Sequence, residues 1–244
     1  MPHTLRRIQI SGEDEATLDV LTGFDSDLSR QITQTSNSIR GLFTQIRPPL
    51  ERILGPWLEH DAVLEILAVW RTPAQLKHAD KARIDAKLKK YGARRHTAWA
   101  VAIMDALDEQ TVVVVGTDAA GLVIPHRARQ LISLHDQRMD GSNHLETMVE
   151  NHPLYLALTS MPGVDVRTAA IVIVETAGKT FTNAAALSSY TGLAPTTRQS
   201  GTSIESERDI QSGNKRMKRA LFLSALASIR FDPTGRAYYD RKRV

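Results

Sequence analysis

The stretch "RQSGTSIE" (198–205) sets Ser200 between Arg198 and Gly201, with a run of further cations downstream. A serine hydroxyl is a weak nucleophile until something removes its proton or stabilises the oxygen that leaves. No histidine or lysine stands near Ser200 in sequence. Arg198, Arg208 and the cluster Lys215, Arg216, Lys218 and Arg219 are nevertheless of the type that binds a phosphate under attack and neutralises its transition state. The chemistry indicated is phosphoryl transfer to a serine. The residues alone leave a second reading open, because most Ser-Gly pairs simply make surface turns.

The cationic cluster belongs to "QSGNKRMKRALFLSALASI" (211–229), where Gly213 breaks the preceding segment and an apolar helix follows. Side chains three or four residues apart share a helix face. Lys215 with Lys218 or Arg219, and Arg216 with Arg219, therefore form a ridge. These charges crowd a helix start, where the backbone dipole already disfavours cations, so an arriving anion relieves the repulsion. Backbone phosphates of DNA suit that role. Tyr238, Tyr239 and the run Arg241 to Arg243 extend the basic surface and read as a frayed tail.

A second anion site is suggested by "TSMPGVDVRTAAIVIVE" (159–175). A helix ends near Leu158, Pro162 and Gly163 turn tightly, and an apolar helix resumes at Arg167. Helix, glycine turn and helix is the layout of a helix-hairpin-helix, whose turn amides and following helix start can hold a phosphate. An ordinary turn between packed helices has the same pattern.

Other chemistries find less support. The eight histidines are scattered, with no pair three or four residues apart, so a zinc site is not indicated. Asp105 and Asp108 have the spacing to share a magnesium ion, but Ile103, Met104 and Leu107 look like the buried stripe and the two acids like its solvated back. No glycine-rich nucleotide loop is present. The absence of cysteine excludes disulfides and thiolate metal sites.

These residues need a scaffold. A chain of 244 residues makes one large domain or two smaller ones; 42% apolar, 24% charged and 5% aromatic residues point to helices packed by Leu, Ile, Val and Ala. The last 54 residues hold 11 Lys and Arg against five acids, whereas the first 190 hold 20 against 22. That asymmetry directs a polyanion to the C-terminal part. The longest apolar run, "AAIVIV" (169–174), is far shorter than the ~20 residues of a membrane span, so a soluble protein with no membrane partner is expected.

Between Leu18 and Ile46, Leu28, Ile32, Thr35, Ile39, Leu42 and Ile46 step by four and three, a heptad seam that stops at "RPP" (47–49). It serves equally a coiled-coil dimer or a hairpin with a later helix. Short helices follow over 56–108, with Thr72 before Pro73 as an N-cap. "TVVVV" (111–115) reads as a strand or a buried helix segment, and a helix over about 118–150 is weakened by "DGS" (140–142). The expected protein is mostly α: a helical hairpin or coiled-coil arm over 1–150, then a helical domain over 151–244 that contains the helix-hairpin-helix and the serine.

Four blocks in order, "LTSMPGVDVRTAA", "AAALSSYTGLAP", "TRQSGTSI" and "GNKRMKRALFLSA", resemble the C-terminal domain of DEDD-type insertion-sequence transposases related to pilin-gene invertases, a family of bridge-RNA-guided recombinases. The resemblance is specific from about Leu158 to Val244. It extends more weakly through "LTGFDSDLSRQ" and "ALDEQTVVVVGT". It implies that Ser200 attacks DNA to form a phosphoserine link. It also implies that Gly163, Val164, Arg167, Arg198, Gly201, Arg208, Asn214, Lys215, Arg216, Lys218 and Arg219 bind DNA. The family's RuvC-like half carries four metal-binding carboxylates, and this sequence begins at the stretch that follows them. Mg2+ is thus expected only with that half, and no cofactor within this chain. A structured guide RNA, a homo-oligomer formed through the helical arm, and a bacterial cytoplasmic, nucleoid-associated location are the further implications. Asp165 stands where the family more often has Gly, and its carboxylate opposes a phosphate at the hairpin. The alternative is an inactive remnant that binds DNA or RNA or dimerises.

Overall fold

A computed structural model describes residues 12–110, 112–194, 212–243, and the backbone of 196–199 and 205–208. The fold is mostly α, as composition and periodicity predict. Twelve helices occur among the described residues: α1 (Glu13–Ile46), α2 (Pro48–Leu54), α3 (Asp61–Val69), α4 (Pro73–His78), α5 (Lys81–Lys90), α6 (His96–Glu109), α7 (Thr117–Glu150), α8 (Tyr155–Thr159), α9 (Val166–Thr176), α10 (Ala184–Thr191), α11 (Lys215–Phe231) and α12 (Pro233–Lys242). Strands β1 (Thr196–Gln199) and β2 (Glu205–Arg208) form one antiparallel pair.

The chain divides into two compact units, one of Ser26–Asp140 and one of the residues up to Asp25 together with those from Gly141 on. The expected partition at residue 150 follows sequence texture, whereas these units follow packing; α1 and α7 each contribute to both.

In the unit of Ser26–Asp140 the heptad seam is buried at Leu28, Ile32, Thr35, Ile39 and Ile46. Leu42 is only partly covered and Phe43 is buried instead, one position on, because the interface continues with a four-residue step from Ile39. The seam shares one apolar cluster with Leu50, Leu64, Ile84, Ile103, Ala128 and Leu131, so it serves the chain's own core. α1 stops at Ile46, where Arg47 precedes Pro48 and cannot stay helical. Arg47 then donates from Nη2 to the carbonyls of Leu107 and Gln110, the latter at 2.6 Å, and caps the end of α6. Burial pushes its guanidinium below the usual arginine range.

Local signals account for several boundaries. Thr72 accepts the Gln75 amide at 3.2 Å with Pro73 opening α4, as its sequence position predicts. The segment 73–92 is broken at Asp80, a left-handed residue (φ 64°), into α4 and α5. The "TVVVV" expectation fails in both forms. Val112, Val113 and Val114 belong to no helix or strand and are exposed, Val115 lies in a turn and is almost fully exposed, and Thr111 lies outside the described residues. α7 runs unbroken through Pro125 and "DGS".

In the other unit, Leu18, Leu145, Val149, Ala169, Ala170 and Ile173 make a smaller apolar cluster, with Val164 and Leu158 packed against it. The C-terminal stretch read as a frayed tail is helix α12. Asp232 caps it by accepting the Gly235 amide at 2.6 Å, and Pro233 pre-sets its first turn.

Candidate nucleic-acid interface

The candidate residues cluster in the unit that contains α8 to α12. Gly163 sits in the turn after α8 with φ 81°, a left-handed conformation that glycine adopts without strain. A Cβ there would run into the Ser224 carbonyl oxygen and lie 2.8 Å from the Ser228 amide, so the turn is seated on the backbone of α11. Asp165 caps α9 by accepting the Thr168 amide at 2.8 Å, which puts an internal carboxylate at the helix start expected to receive a phosphate. Val164 packs into the apolar cluster, and Arg167 Nε lies 3.1 Å from the Asp25 carboxylate. These residues stabilise the α8–α9 corner, and their polar groups face protein partners.

Asn214 and Arg216 also turn inward. Asn214 caps α11 by accepting the Met217 amide at 2.9 Å, while its Nδ2 donates to Glu175 and, at 2.9 Å, to the Tyr190 hydroxyl. The two roles fix its amide orientation, with oxygen toward the helix. Arg216 Nη1 lies 2.6 Å from Asp19 and 3.2 Å from Glu175, and Nη2 donates to the Thr22 hydroxyl. One arginine thus joins α1, α9 and α11. Nothing in the local sequence marked Asp19, Thr22 or Tyr190, because their partners lie from 24 to 197 residues away. Glu175 had a signal: it is a carboxylate closing an otherwise apolar helical run.

The remaining ridge cations behave differently. Lys215 and Arg219 are exposed and Lys218 is half-buried, in the first turn and a half of α11. The same helix leaves Phe222, Leu223 and Leu226 exposed just beyond them. No carboxylate occupies the first turn of α11.

The base of the β ribbon is fixed by two glycines. Gly192 (φ 71°) ends α10 and Gly213 (φ 100°) precedes α11. A Cβ on Gly213 would lie 2.7 Å from the Gly192 amide, so the two backbones touch, and Asn214 N donates to the Tyr190 carbonyl at 3.0 Å. The chain therefore leaves and re-enters the helical unit at one point. Between them β1 and β2 pair with Thr196 opposite Arg208, Arg198 opposite Ser206 and Gln199 opposite Glu205. Alternation puts positions 196, 198, 206 and 208 on one face of the ribbon and positions 197, 199, 205 and 207 on the other. Ser200 and Gly201 lie outside the described residues, in the five-residue connection between β1 and β2.

Among the described residues no group of three or more His, Asp or Glu could hold a metal ion. Asp108 is paired with Lys77 at 2.6 Å. No helix among the described residues is long and apolar enough to cross a membrane.

Comparison with known proteins meets this geometry at the same place. Residues 155–240 match the transposase family IS116/IS110/IS902. The matched residues run from α8 into α12 and include the glycine clamp, the ribbon and the ridge. Over its whole length the chain is 48% identical to the insertion element IS110 uncharacterized 43.6 kDa protein of Streptomyces coelicolor, covering 60% of that protein. It is 31% identical to the insertion element IS900 uncharacterized 42 kDa protein of Mycobacterium paratuberculosis, covering 61% of it. Identity to the insertion element IS116 uncharacterized 44.8 kDa protein of Streptomyces clavuligerus is 28% over 228 residues. The chain spans about three-fifths of the length of these curated relatives.

Proposed function

We propose that this chain is the DNA-binding and strand-joining part of an insertion-element transposase, with Ser200 as the nucleophile. What carries the reading is the family match over 155–240 falling on a ribbon that is clamped at its base beside the cations of α11. In the step envisaged, Ser200 Oγ bonds to the phosphorus of a DNA phosphodiester and the bond from phosphorus to one sugar oxygen breaks. The serine proton ends on that departing oxygen. The phosphate ester count is unchanged, so attack by a free DNA hydroxyl on the serine ester reseals a strand without an external energy source.

Within this reading Lys215, Lys218, Arg219, Arg198 and Arg208 contact phosphates. Arg216, Asn214, Arg167 and Asp165 support them by fixing the start of α11 and the α8–α9 corner, whose helix-hairpin-helix character is part of the proposal. A structured guide RNA is a second partner. Metal-binding carboxylates of a RuvC-like region would act together with these residues.

Trapping provides the test. The chain, supplied with a RuvC-like region and a nicked DNA substrate that prevents resealing, gives a denaturant-resistant protein–DNA species, and Ser200→Ala gives none. Equal amounts from both proteins contradict the nucleophile. Salt-sensitive DNA binding without any adduct, indifferent to position 200, supports the non-catalytic remnant instead.

A further inference from the structure

The segment from Lys77 to His96 holds eight lysines and arginines and two aspartates, a concentration hidden by the near-balanced charge of the first 190 residues. It lies in the unit of Ser26–Asp140, on the end of α4, on α5 and on the turn that leads to α6. Some of these charges have structural partners. Lys77 pairs with Asp108 at 2.6 Å, and Lys87 pairs with Glu65 at 3.0 Å and stacks over Tyr91. Asp85 is engaged by His96 at 2.7 Å. Lys81, Arg83, Lys89, Lys90, Arg94 and Arg95 are all exposed; the Asp85 carboxylate feels the charge of Lys89, and none of the six makes a salt bridge among the described residues.

The helix dipole explains only part of this set. Lys89 and Lys90 lie in the last turn of α5, where cations are favoured. Lys81 and Arg83 lie in its first turns, and Arg94 and Arg95 immediately precede α6; neither helix has an acid in its first turn. Asp80 at the N-cap of α5 and the Asp85 carboxylate against His96 at the start of α6 offset part of this charge, and Arg83, Arg94 and Arg95 stand near helix starts without a salt bridge among the described residues. At 100° per residue, the centre of the exposed face of α5 is formed by Ala82 and Ala86, with Lys89 on one side and Arg83 and Lys90 on the other. Small residues flanked by two cationic edges let a phosphate strand approach the helix closely. Ten helical residues extend about 15 Å, the axial length of about four phosphates on one strand of a duplex.

We propose that α5 and the turn to Arg95 form a second docking surface, which takes the phosphate backbone of duplex DNA and is separate from the cations of α11. The choice of DNA as the polyanion rests on the function proposed above. Binding of this kind carries no base readout, so the surface adds affinity and orientation on any sequence.

The test compares two neutralised variants of the full chain, titrated with duplex DNA and with duplex RNA over a range of salt. One carries Arg83→Gln, Lys89→Gln, Arg94→Gln and Arg95→Gln; the other carries Lys215→Gln, Lys218→Gln and Arg219→Gln. Glutamine nearly matches lysine and arginine in helix propensity, so both are expected to fold. The first variant is expected to flatten the slope of log affinity against log salt by about 0.9 for each DNA phosphate it no longer neutralises, roughly three in all, equally on unrelated sequences. If only the second variant flattens the slope, the α5 surface is refuted and the DNA-binding reading stands. If neither does, both fall. A weakening confined to RNA also overturns the proposal. Should the first variant melt early, acetylation of the unsubstituted chain decides: duplex DNA is expected to protect Lys81, Lys89 and Lys90, and unchanged labelling refutes the surface.

Discussion

The two compact units are held together by different means. The unit of Ser26–Asp140 rests on a large apolar cluster in which Leu64, Ile84, Ile103 and Leu131 are completely or almost completely buried. The unit that contains α8 to α12 has a smaller cluster, and it adds a polar network of Asp19, Glu175, Tyr190, Asn214 and Arg216 and two backbone approaches that only glycine allows. Apolar packing tolerates surface change, whereas a polar network fixes particular side chains. The difference separates arginines and lysines that belong to the fold from those left for a ligand, even when they are neighbours in sequence.

The largest expected effect tests the apolar side of this contrast. Ile103→Ala is expected to lower unfolding free energy by about 2–5 kcal/mol in denaturant titration, since buried methylenes are removed and a cavity is left behind. Next comes the network. Arg216→Met leaves Glu175 and Asp19 without their cation and is expected to cost about 1–3 kcal/mol, with no change in the salt slope of DNA binding. A flattened slope with unchanged stability would return Arg216 to the ridge.

Asp85 gives a smaller, pH-dependent effect. Its hydrogen bond to His96 holds the carboxyl below the usual range, so the stabilisation is present above that range and disappears as pH falls through the lowered value. Asp85→Asn is expected to be less stable than the parent near neutrality and to converge with it in acid; a constant difference across the titration would dissociate the hydrogen bond from stability. Smallest in stability is the ridge itself. Lys215→Gln with Lys218→Gln and Arg219→Gln is expected to shift unfolding by less than about 0.5 kcal/mol per site while weakening DNA binding, opposite to Arg216→Met.

Features governed by local chemistry were legible in sequence. The end of α1 before Pro48, the Thr72 cap and the start of α11 after Gly213 follow from residues a few positions apart. The seam was legible except for the exchange of Leu42 for Phe43, which depends on what the helix meets. "TVVVV" misled because β propensity needs a pairing partner, and Asp232 with Pro233 started a helix where charge suggested fraying. At the site, the ridge could be read as one cluster of four cations. Its division into inward Arg216 and outward Lys215 and Arg219 could not, since it depends on Asp19 at the far end of the chain. The α5 cations are masked in sequence because acids elsewhere in the first 190 residues balance them.

Strand joining as proposed turns on one atom, Ser200 Oγ. Its most direct test is mass spectrometry of the protein–DNA species formed on a nicked substrate, after nuclease and protease digestion. A nucleotide remnant is expected on the peptide containing Ser200, located on that serine by fragmentation. A remnant on any other residue, or an unmodified Ser200 in a chain that has cleaved DNA, contradicts it.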